Sequence, residues 1–150
     1  MATLRRILVA TDFTATSNLA LDWAIELAAP LGASVTVMHA YEIPVIGFPD
    51  GALIATSEVA ARLGEAARAA LESAIEQRQG RGVALVGTLR EGVPWEEINA
   101  VAEEIDADLI VIGTHGRRGI ARALLGSVAE NVIRTSHRPV TTLHGQKTSV

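Results

Sequence analysis

Residues 107–137 read "ADLIVIGTHGRRGIARALLGSVAENVIRTSH", and the reading of this stretch decides the fold. The opening "ADLIVIG" (107–113) is a short apolar run of the kind that forms a strand buried on both faces. The closing "SVAENVIRTSH" (127–137) reads as a helix. Between them stand Gly113, Gly116 and Gly126, spaced Gly-x2-Gly-x9-Gly-Ser, with Arg117, Arg118 and Arg122 in the interval. Glycine is costly inside regular elements, so a strand-to-helix connection built around it calls for a reason.

Working outward, strands and helices alternate. "RRILVAT" (5–11) is a first strand, and "SNLALDWAIELAAPLG" (17–32) follows as a helix. In that helix Ala20, Ala24, Leu27, Ala28 and Leu31 recur at helical spacing while Asp22 and Glu26 face away. Thr16 or Ser17 suits its cap and Gly32 its end. "ASVTVMHAY" (33–41) is a second strand, and 42–57, with two prolines and two glycines, reads as a loop. A long Ala- and Glu-rich helix runs from Glu58 to Gln79, then a third strand "VALVGTL" (83–89). A helix within 91–106 carries Pro94 in its first turn. "RPVTTLH" (138–144) is the last strand, and 145–150 is a polar tail. Trp23 and Trp95 fall within helix patterns as packing anchors.

This alternation predicts an α/β protein: one domain over 1–150, a doubly wound five-stranded parallel sheet with helices on both faces. The chain is 49% hydrophobic but only 3% aromatic, so its core is aliphatic and Ala-rich. With no cysteine, disulfides, thiolate metal sites and thiol catalysis are excluded. A formal net charge of −4 argues against a general nucleic-acid binder. No run approaches the roughly 20 apolar residues of a membrane span, and the N-terminal apolar stretch is too brief for a signal peptide. A cytoplasmic protein is expected.

Sheets of this kind bind ligands at the carboxyl ends of their strands, where the strand order reverses. The turns "VATD" (9–12) and "IGTHG" (112–116) suit that place. The glycine spacing is not that of a P-loop, because no lysine follows the last glycine. Singly, each glycine also suits a plain turn or cap. Together they suit phosphate: Gly113 allows close approach, Gly116 an inward nest of amides, and Gly126-Ser127 opens a helix whose amides face an anion. "SVAE" (127–130) has the form of a capping box, Ser127 bonding the amide at 130 and Glu130 reaching back. Asp12 fits a ribose contact or an Asx turn, and the arginines fit phosphate or solvent equally. His39 reads as a core histidine and His115 as loop lining. The histidines show no metal-ligand spacing, and no catalytic grouping is legible.

The chain resembles the ATP-binding branch of the universal stress protein family. Residues 113–127 match that branch's glycine spacing in full, and "ILVATDFT", "VTVMHAY", "EGVPWEEI" and "RPVTTL" extend the likeness over almost the whole chain. The resemblance implies a Rossmann-like fold of the adenine-nucleotide alpha-hydrolase type. It implies ATP across the ends of the first and fourth strands, with Ala10, Thr11 and Asp12 in one turn and Ala40 meeting adenine. Gly113 would lie under the ribose, with Thr114 and Arg117 nearby, while Gly116, Gly126, Ser127 and Val128 hold the phosphates. Mg2+ would ride mainly on those phosphates, not on a protein cage. The resemblance also implies a homodimer through the last strand (138–144), with no nucleic-acid or membrane partner. The activity implied is nucleotide-dependent regulation under stress; slow ATP hydrolysis or autophosphorylation is the alternative.

Overall fold

The run "RILVA" forms β1 (Arg6–Ala10), in which Ile7, Leu8 and Val9 have no solvent exposure. Their alternation splits the core into two layers, as the period of a strand requires. Ile7 and Val9 pack with α1 (Ala15–Leu31) and with Leu71 of α2 (Ser57–Glu76). Leu8 and Ala10 pack with α3 (Pro94–Glu104) and α4 (Ser127–Thr135) on the opposite face. Each fully buried Ile, Leu or Val contributes about 1.5–3 kcal/mol. The computed structural model describes residues 3–45, 47, 49, 57–114 and 125–145.

Around β1 the sheet is completed by β2 (Ser34–Tyr41), β3 (Leu85–Glu91), β4 (Leu109–Gly113) and β5 (Val140–Leu143). All pairs are parallel, in the order β3-β2-β1-β4-β5. Val9 stands between Val37 of β2 and Val111 of β4. The chain winds outward from β1 in both directions, so the carboxyl ends of β1 and β4 flank the point where the order reverses. The protein is therefore a doubly wound five-stranded parallel α/β fold, as its sequence implies. Trp23 packs on one core layer and Trp95 on the other. No helix among the described residues is long and apolar enough to cross a membrane.

Several boundaries differ from the sequence reading, each for a physical reason. The N-cap of α1 is Thr14, whose side chain accepts from Ser17 N–H, so Thr16 and Ser17 lie inside the helix. Leu31 is 48% exposed and outside the core. Asp22 does not face away: its Oδ1 accepts from Arg78 Nε and Arg81 Nη1, each at 2.8 Å. Arg78 is buried and also donates to Ala74 O, so this cluster clamps the end of α2 against α1. β3 begins two residues later than the apolar run suggests, because an edge strand is only half covered and its pattern is weak.

The amino ends of the strands are tied by charge. Asp108 Oδ2 accepts from Arg5 N and Arg6 N at 2.8 and 2.9 Å, and these amides hold its carboxyl below the usual range. Arg138 bridges Glu103 and Asp106, and the Arg138 hydrogen bond likewise lowers the Glu103 carboxyl.

Candidate functional site

The β1–α1 turn is built from short hydroxyl and carboxylate bonds. Thr11 N–H continues the ladder to Met38 O at 2.9 Å. Thr11 Oγ1 accepts from Phe13 N–H and donates to Ser17 Oγ. Asp12 Oδ1 accepts from Thr14 N–H at 3.1 Å and from Thr14 Oγ1 at 2.6 Å. That is an Asx turn, one of the two uses open to Asp12, and it fixes the carboxylate at the end of β1.

Across the reversal point, Thr114 ties three elements together. Its N–H and Oγ1 both donate to Leu143 O of β5, at 2.9 and 3.2 Å. Its own carbonyl accepts from Gly126 N–H at 2.6 Å, so the two feet of the 115–124 segment are stitched to each other. Gly126 is the N-cap of α4, and Ser127 is its first helical residue. The capping box is therefore one residue out of register. Ser127 does not cap, and Glu130 pairs with Arg134 instead. No side chain caps α4 among the described residues, and the residues of its first turn line the cleft.

Gly113 has a use other than ligand approach. A Cβ there would lie 2.9 Å from Thr16 Cγ2 and 3.3 Å from Ser17 N. The absent side chain is what lets the first turn of α1 pack on the end of β4.

These parts surround a cleft of about 920 Å3. It gathers Ala10, Thr11 and Asp12 from the β1 end, Ala40 from β2, Gly113 and Thr114 from β4, and Gly126, Ser127 and Val128 at the start of α4. Gly116, Arg117, Arg118, Arg122 and His115 lie outside the described residues, as do most of the 42–57 loop and 146–150. The sequence reading missed the cleft's apolar wall. Leu63, Ala66, Ala67 and Ala70 of α2 line it, as do Met38 of β2 and Ile98 of α3. The signal was present, since 63, 66, 67 and 70 are one helical face of small residues beside Leu63. His39 also lines the cleft. An apolar wall at one end and helix amides at the other suit a flat apolar ring joined to an anion. No group of three metal-ligating side chains occurs among the described residues.

Comparison with known proteins gives a consistent result. The model of the universal stress protein family matches residues 3–144. The chain is 38% identical over 138 residues to universal stress protein MJ0531 of Methanocaldococcus jannaschii, covering 91% of this chain and 79% of that protein. The solved structure of protein MJ0577, from the same organism, superposes with a TM-score of 0.83 at 27% identity, covering 98% of this chain and all of that one. A universal stress protein in complex with cAMP superposes with a TM-score of 0.69 at 29% identity, over 95% of this chain and 98% of that one. For one from Archaeoglobus fulgidus in complex with dAMP the TM-score is 0.62 at 26% identity, over 95% and 99%.

Proposed function

The chain belongs to the universal stress protein family, and from that premise we propose that it is a regulatory protein that binds ATP in the cleft between the ends of β1 and β4. The observation that carries this reading is the start of α4. Gly126 occupies the N-cap without a side-chain bond, and Ser127, Val128 and Ala129 open directly onto the cleft. A helix start of this kind favours negative charge through its open amides and dipole.

The ligand fits the cleft in parts. The base lies against Ala40 and the wall of Met38, Ile98 and α2. The sugar lies over Ala10, Thr11, Gly113 and Thr114, with Asp12 as its carboxylate partner. The phosphates take the α4 amides at Ser127 and Val128, close against the Gly126 cap whose own N–H is held by Thr114 O, joined by Gly116 and Arg117. Mg2+ rides on the phosphates. Adenine is supported by the two related structures that hold cAMP and dAMP. The protein acts in the cytoplasm as a homodimer paired through β5.

Nucleotide occupancy orders the cleft and shifts the protein between regulatory states. A ligand at a hundredfold excess over its Kd stabilises the competent fold by about 2.7 kcal/mol. The deciding experiment is calorimetric titration with ATP, ADP and AMP in the presence of Mg2+, alongside mass spectrometry of small molecules released on denaturation. Saturable heat with ATP, a raised melting temperature and phosphate release at background level are expected. Absence of heat from all three nucleotides overturns the reading, and sustained phosphate release moves it to the ATPase class.

A further inference from the structure

His39 is 9% exposed, lines the cleft, and has no part in the nucleotide contacts above. Its surroundings give it a specific task. β1 and β2 are parallel neighbours with Ala10 opposite Met38, and Thr11 N–H donates to Met38 O. The next parallel rung would reach Thr11 O from the Ala40 amide. At that oxygen the described hydrogen bond comes from the side chain of His39, with Nδ1 at 2.7 Å. A carbonyl only accepts, so Nδ1 carries the hydrogen.

The same ring meets the other neighbour of Asp12. The Phe13 ring centroid lies 4.5 Å from that of His39, at an interplanar angle of 45°. Phe13 has φ of +64°, a left-handed conformation that costs a bulky residue about 1–2 kcal/mol and persists only where its surroundings over-determine it. One imidazole therefore holds the carbonyl before Asp12 and the ring after it.

We infer that His39 is the positioning residue of the β1–α1 turn: its Nδ1–H to Thr11 O holds Asp12 in the geometry that receives the ligand's sugar. The inference rests on the nucleotide reading for its ligand; its account of the turn stands on geometry alone.

Two substitutions separate donor from ring. In His39→Asn the Asn Nδ2 falls near the position of imidazole Nδ1, keeping the donor and losing the ring. In His39→Phe the ring stays and the donor is lost. Each is compared with wild type by calorimetric ATP affinity with Mg2+ and by amide exchange at Phe13 and Thr14. The Phe variant is expected to bind ATP about tenfold more weakly and to exchange faster at both amides, the scale of one hydrogen bond. The Asn variant is expected to stay within about threefold of wild type on that scale. Unchanged affinity and exchange in the Phe variant overturn the inference, and so do equal losses in both variants, which mark simple packing. If wild type itself binds no adenine nucleotide, the nucleotide reading falls, and the exchange rates still decide whether His39 holds the turn.

Discussion

At the scale of single residues, Gly113 shows how a motif position can be constrained from behind. Its missing Cβ makes room for Thr16 and Ser17 of α1, so substitution strains the helix–strand packing before it touches any ligand. Gly113→Ala is expected to destabilise the fold by about 1–3 kcal/mol in urea unfolding, as overpacking does. Thr16→Ser removes the Cγ2 that the new methyl would strike and is expected to recover part of that loss. Equal cost of Gly113→Ala in both backgrounds would show that the contact is not the cause. This constraint was illegible in the sequence, because it depends on a residue nearly a hundred positions away.

Asp108 carries the clearest pH signature. The amides of Arg5 and Arg6 hold its native carboxyl below the unfolded value, so its stabilisation is present above about pH 4. It is lost as pH falls from there through the lowered native value. The stability advantage of wild type over Asp108→Asn should therefore shrink on acidification below about pH 4. A constant difference between neutral and acid denaturation curves would falsify this assignment.

At the scale of elements, the sheet was the most legible part. β1 and β4 are buried on both faces and appear as near-continuous apolar runs, and β2 as an apolar run broken by Thr36 and His39. β3 was misplaced by two residues because Val86 and Gly87 are exposed at the sheet edge. The helix caps were misread, by two or three residues at α1 and by one at α4. At α1, Thr14, Thr16 and Ser17 all have capping side chains, and at α4 Ser127 stands beside Gly126, so only backbone geometry shows that Thr14 and Gly126 are the caps. For the cleft, the strand-end turns and the start of α4 were visible as motifs. The α2 wall left only a face of small residues, and the charged opposite face of that helix reads as an ordinary solvated surface. Its place is set by the Arg78–Asp22 clamp, a contact between residues 56 positions apart.

At the scale of the whole molecule, the two sheet edges differ in what they offer. Pro139 O, just before β5, accepts from Ile110 N, and Leu143 O at its end accepts from Thr114 N, so odd positions face β4. The backbone of Val140 and Thr142 therefore faces outward, and it is the edge through which the proposed dimer would pair. Thr142→Pro deletes an outward amide while sparing the β4 ladder. Sedimentation should find a dimer for wild type and a monomer with native circular dichroism for Thr142→Pro. A monomeric wild type would remove β5 pairing from the proposed function.

The stitch from Gly126 N–H to Thr114 O has a consequence for how such a molecule diversifies. The bond fixes where a connection between β4 and α4 must begin and end, whatever its length. For loops in general, each doubling of length costs only about 0.6 kcal/mol of closure entropy. Changes of length between Thr114 and Leu125, which itself packs on the core, are therefore expected to cost the fold little in urea unfolding. The scaffold can be tuned to new anions, or lose them, without being refolded.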